Sequence, residues 1–126
     1  MIDKYLLPSL VFLGAFFAPV YPFVLLMGFI IVIDMITALM ACRKRKETIT
    51  SAKLSRTVGK FLVYGCAILT AHVISRFFLP SFPALQLMAG FITFIELKSI
   101  DENIKKFTGH SLFGSILAKL KPKKDE

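Results

Sequence analysis

Charge is scarce in this sequence: 19% of its 126 residues are charged and only 8 are acidic, whereas 56% are hydrophobic. A soluble domain carries roughly 25% charged residues. A chain this short has one small core, which cannot enclose so much apolar surface, so lipid has to cover the remainder. A globular cytosolic enzyme is thereby excluded. Catalytic residue types are scarce as well. There are two histidines, His72 and His110, and no Ser/His/Asp or Cys/His arrangement, glycine-rich phosphate loop or metal-ligand cluster. No enzyme, cofactor or metal site is expected. The two cysteines, Cys42 and Cys66, match no zinc or redox spacing and lie in apolar sequence, as reduced, buried packing residues would.

What is present is a basic excess, with a formal net charge of +8, gathered into short stretches. Arg43, Lys44, Arg45, Lys46, Lys53, Arg56 and Lys60 lie close together with Glu47 as the one acid among them, while Asp34 is the sole charged residue between Tyr5 and Cys42. A basic segment beside a long apolar one is the positive-inside pattern of a cytoplasmic loop. Nucleic-acid binding through Arg43 to Lys46 is disfavoured, because no stacking aromatics or recognition fold accompany the run. The N-terminal apolar stretch imitates a signal peptide, yet cleavage would leave Phe16 three residues before the cut and Pro19 directly after it. It reads as an uncleaved anchor.

Tyr5 to Cys42 would measure roughly 57 Å as one helix, against a hydrocarbon core of ~30 Å. A fold-back is therefore expected at Pro19-Val20-Tyr21-Pro22, giving a first transmembrane hairpin over residues 1–42 with helices of about Tyr5–Ala18 and Phe23–Cys42. A basic cytoplasmic loop, 43–57, leads to a second hairpin, 58–95. In it a helix from about Ser55 to Leu79 turns at Pro80-Ser81-Phe82-Pro83 into another that starts near Ala84. From Glu96 the apolar residues Leu97, Ile100, Ile104 and Phe107 recur at helical spacing opposite Lys98, Asp101, Glu102, Lys105 and Lys106. Residues 96–126 therefore read as an amphipathic cytoplasmic helix and a basic tail, with Gly109 capping the helix and Ser111 starting a short second one. The expected fold is an all-α membrane protein of about four transmembrane helices in two hairpins, with both termini cytoplasmic. A three-pass version, with the first segment in the interface, is the alternative.

Asp34 is the sharpest single feature, because an ionisable group deep in an apolar span costs ~2.5–3.5 kcal/mol on insertion scales. It should face protein or water. Depth counting places His72 within a turn of it on a neighbouring helix, so an Asp34–His72 contact is one possibility; protonation or a bond to Thr37 or Thr70 is the other. A set of intramembrane polar residues, Asp34, Thr37, Thr70 and His72, would line any opening. Arg76 and Glu96 are read as snorkelling from helix ends. Gly14 with Ala18 and Ala67 with Ala71 allow close helix approach.

Three stretches resemble small bacteriophage holins of the toxin-secretion/phage-lysis type. They are Val32-Ile33-Asp34-Met35-Ile36-Thr37, the basic Ser51 to Lys60 segment, and Glu96-Leu97-Lys98-Ser99-Ile100-Asp101-Glu102-Asn103, which is similar to that family's Glu-x-x-Ser-Ile-x-Glu-Asn. Met35 and Ala38 stand where the family has an aromatic residue and a glycine. The resemblance implies a bacterial cytoplasmic membrane protein whose partners are the lipid bilayer, further copies of itself and, functionally, a cell-wall hydrolase. It would form a pore or lesion through which the hydrolase or a toxin leaves the cell. Glu96, Ser99, Ile100, Glu102 and Asn103 are the family-motif residues. The competing class is a membrane-embedded scaffold or channel subunit, whose basic loop (Arg43, Lys44, Arg45, Lys46) docks a soluble partner.

Overall fold

A computed structural model describes residues 2–122, with side chains from Asp3 onward. Lys123 and Lys124 of the expected basic tail lie outside the described residues. The described chain is helical throughout, without strands: α1 (Ile2–Phe17), a 3-10 turn (Ala18–Val20), α2 (Tyr21–Lys44), α3 (Ser51–Phe77), α4 (Ala84–Thr108) and α5 (Leu112–Leu120). By length and composition, two helical stretches could cross a membrane: Asp3–Lys44, running through the 3-10 turn, and Ser51–Phe77.

α2, α3 and α4 pack together, with α3 antiparallel to the other two. The core runs along one seam on each helix. Val20, Met27 and Ile31 meet Ile68 of α3 and Leu85 and Ile92 of α4, with Phe23, Val24, Tyr64 and Ala67 around them. These positions recur at three, four and seven residues, the spacing that keeps side chains on one helix face.

The two proline turns behave differently. After α3, Phe78 and Leu79 both donate to the carbonyl of Ile74 and Phe82 donates to Leu79. Pro83 leaves the helical region (φ −79°, ψ 59°), and the chain reverses into α4. At the first turn, Pro19 and Pro22 occupy the opening positions of the 3-10 turn and of α2, where a missing N–H costs nothing. Val20 (φ −78°, ψ −26°) and Tyr21 (φ −54°, ψ −48°) stay in the right-handed region. The prolines therefore start helical turns there, and α1 is not laid along α2 as the expected hairpin required. Residues 3–15 are exposed, and α1 meets the bundle at its last turn. There the Phe16 ring stacks on Phe77 (centroids 5.6 Å apart) and tilts against His72 (5.0 Å).

Two helix boundaries also differ from expectation. α2 runs on to Lys44 and α3 begins at Ser51, because Thr50 caps it by accepting from the Lys53 N–H. The loop is thus shorter than 43–57. α4 runs from Ala84 to Thr108, the continuation past Ile95 that the helical spacing of Leu97, Ile100, Ile104 and Phe107 led one to expect. Gly109 does end α4, with φ 82°, and Ser111 does cap α5 by accepting from the Gly114 N–H.

Candidate functional site

In the basic half of the bundle, polar side chains take over the seam that apolar ones hold in the other half. Asp34 follows Met27 and Ile31 on α2, Glu96 follows Ala89 and Ile92 on α4, and Lys60 lies two turns before Ile68 on α3. Glu96 is 1% exposed and Asp34 8%. Buried charges are tolerated when paired and hydrogen-bonded, and here they are. Lys60 Nζ lies 2.9 Å from Asp34 Oδ2 and 3.2 Å from Glu96 Oε1. The Tyr64 hydroxyl donates to Glu96 Oε1 at 2.7 Å.

Asn103 completes the set. Its Nδ2 lies 3.0 Å from Asp34 Oδ1, 3.2 Å from the Asp34 carbonyl and 3.2 Å from Thr37 Oγ1, so two N–H groups serve three acceptors. Thr37 in turn donates to the Asp34 carbonyl at 2.9 Å. Among the described residues no buried side-chain nitrogen or oxygen is left without a partner. Two carboxylates from α2 and α4 share the Lys60 ammonium of α3, while the Tyr64 phenol serves Glu96 and the Asn103 carboxamide serves Asp34.

The register that creates this cluster is set at the basic end. Lys53 Nζ reaches Cys42 Sγ (3.1 Å) and Glu47 Oε2 (3.5 Å). With Cys42 level with Lys53, stepping eight residues back along α2 and seven forward along α3 brings Asp34 to Lys60. His72 lies twelve residues, roughly 18 Å, further along α3. The Asp34–His72 contact is therefore not formed. His72 is buried, and its Nε2 lies 2.7 Å from the Phe16 carbonyl. A carbonyl only accepts, so Nε2 carries the proton. It supplies a donor beside Pro19, which has none to give.

Other expectations are corrected by the packing. Glu96 does not snorkel, because α4 does not end there and its carboxylate faces α2 and α3. Cys66 is exposed, whereas Cys42 is buried as expected. Thr70 is exposed on α3, so Asp34, Thr37, Thr70 and His72 do not share one face. Of the family-motif residues, Glu96 and Asn103 enter the cluster. Ser99 and Ile100 are half-buried, and Glu102 is exposed.

In the basic stretch Arg43 is exposed, Arg45 pairs with Glu47 at 3.5 Å, and Lys44 donates to the Phe107 carbonyl and lies 5.3 Å from that ring's centroid. Lys44 thereby ties the end of α2 to the end of α4. Lys46 adopts a left-handed φ of 55°. A cleft of about 350 Å³ opens here between the helices, lined by Asp34, Lys60 and Asn103 at one side and by Arg56, Glu102 and Lys106 among others.

Beyond the cluster, Asp101 organises the end of the chain. Its Oδ2 accepts from the Ser111 hydroxyl at 2.6 Å, and its Oδ1 accepts from the N–H groups of Leu112 (2.7 Å) and Phe113 (3.2 Å). These otherwise unpaired donors open α5. The same bonds, that from Ser111 foremost, hold the Asp101 carboxyl below its ordinary value.

Lys60 and Tyr64 were missed as partners of the carboxylates in the sequence reading. A signal existed. Lys60 and Tyr64 are four residues apart and Glu96 and Asn103 seven, so each pair shares a helix face.

The sequence profile of the bacteriophage holin family matches residues 11–121 of this chain. Comparison with curated proteins and with solved structures gives no match.

Proposed function

The chain belongs to the bacteriophage holin family, and from that premise we propose that it accumulates in the bacterial cytoplasmic membrane, self-associates, and opens a lesion that releases a cell-wall hydrolase or toxin. The match over residues 11–121 carries this reading. The surface supports it. Large apolar side chains are exposed along α1 (Phe12 70%), α3 (Val63 65%) and α4 (Phe91 68%), which suits lipid or a second copy and not water.

The proposal includes a multi-pass arrangement. Arg43, Lys44, Arg45 and Lys46 and the basic C-terminus lie in the cytoplasm, and the apolar parts of α2, α3 and α4 cross the membrane. In it the Asp34–Lys60–Glu96–Asn103 cluster fixes the register of three helices inside each subunit. Subunit association depends on concentration, so the lesion forms above a threshold amount of protein.

The test is inducible expression in bacteria with and without a signal-less muralytic enzyme, following turbidity and entry of a membrane-impermeant dye. Abrupt lysis only when both proteins are present is expected. Steady growth without dye entry, despite abundant inserted protein, would refute the lesion and favour the scaffold. Reporter fusions after Glu126 and at Tyr21 should read as cytoplasmic and external respectively.

A further inference from the structure

α1 is an apolar helix without a place in its own bundle. It measures about 24 Å for its 16 residues, and from Tyr5 to Leu13 its large side chains are 50–70% exposed. On the far side of α3 lies the opposite feature, an apolar groove of about 640 Å³ between α3 and α4. Its α3 side carries Cys66, Ala67, Thr70 and Ala71, small residues that let another helix come close, and its α4 side carries Leu87 and Phe91. From Cys66 to Leu79 the groove runs roughly 20 Å along α3 and its end, close to the length of α1.

The chain's total surface says how much there is to cover. It exposes 9858 Å², where a compact soluble chain of its mass exposes about 6,700 Å². The excess, about 3,000 Å², accommodates two contacts of standard size at about 800 Å² per partner and leaves the remainder for lipid.

We propose that α1 of one subunit docks in the α3–α4 groove of a neighbouring subunit. The root of α1 decides against its own groove. Phe16 is held by His72, and Thr70, two residues earlier on the same helix, points about 200° away around the axis. To reach its own groove α1 would have to cross over α3. Because the donated helix and the accepting groove lie on different flanks, the contact is head-to-tail, and it propagates from subunit to subunit until a ring closes or an array forms. This inference rests on the self-association proposed above and names the surface that performs it.

Cysteine cross-linking of the full chain in bacterial membranes tests it. Two differently tagged chains are co-expressed, both with Cys42→Ala: one carries Leu10→Cys and Cys66→Ala, the other keeps Cys66. A mixed cross-linked dimer is expected, and a chain with both Leu10→Cys and native Cys66 should give a ladder of multimers. Thr70→Phe, which fills the groove from an exposed position, should abolish the ladder. Amine cross-linking reads self-association independently. If it yields oligomers while no α1 position from Leu7 to Gly14 joins Cys66 of another chain, the surface is wrong and self-association stands. A product confined to single chains would place α1 in its own groove and overturn the proposal. Absence of oligomers by amine cross-linking would overturn self-association and this contact together.

Discussion

The Asn103 carboxamide lies 3.0 Å from the Asp34 carboxylate although 69 residues separate them. Each belongs to a different stretch that resembles holins, so the two most distinctive parts of the sequence form one contact. Replacing Asn103 with Leu strips Asp34 of the donor to its Oδ1 and one donor to its carbonyl. An unsatisfied buried acceptor costs ~1–3 kcal/mol. The Asn103→Leu chain should insert normally and melt earlier in detergent, with altered timing of permeabilisation. An unchanged melting curve would show the contact to be unimportant.

Lys60 is the only cation in contact with both buried carboxylates among the described residues. Lys60→Met leaves Asp34 and Glu96 close together without it, and breaking a buried ion pair from one side costs ~3–5 kcal/mol. The loss should be several times that of Glu47→Gln, whose ion pairs are about half exposed and so contribute little. Thermal unfolding of the purified proteins in one detergent compares the two. Restoring charge with Lys60→Arg should recover part of the stability.

Lys46 holds the left-handed position that ends α2, with its own N–H donated to Arg43 and that of Glu47 to Cys42. A residue with a Cβ is strained there by roughly 1–2 kcal/mol, and glycine is not. Lys46→Gly should therefore stabilise the chain by about 1 kcal/mol after the entropy of the unfolded glycine is subtracted. Lys46→Val should destabilise it. The paired melting temperatures give the sign directly.

Asp101 makes the attachment of α5 acid-sensitive. Its folded pKa lies below the ordinary 3.8, so its contribution is fully present above that value and is lost as pH falls through the lowered one. Amide exchange at Leu112 and Phe113 should be protected at neutral pH and lose protection only in strong acid. In Asp101→Ala the protection should be missing at every pH. Equal protection in the two chains would show that α5 is held by something else.

Composition and periodicity determined the class of this protein. An excess of apolar residues with one basic stretch between them leaves a helical membrane chain as the economical solution, and the resemblance to holins was legible in short motifs because those residues are contiguous. Helix ends written in local chemistry, such as Gly109 and Ser111, were legible for the same reason. What only the tertiary structure decided depends on register. Whether Asp34 meets His72 or Lys60 turns on which residues of α2 and α3 lie level: with Cys42 beside Lys53, Asp34 falls opposite Lys60, and His72 is more than three turns further along α3. Whether Pro19 and Pro22 reverse the chain depends on the dihedrals of Val20 and Tyr21, since a proline at the start of a turn fits both a bend and a new helix. Glu96 looked like a helix-end residue because charge begins there. In the fold it lies mid-helix and buried, since α2 and α3 bring a cation and a phenol to it, and that compensation is invisible in one segment read alone.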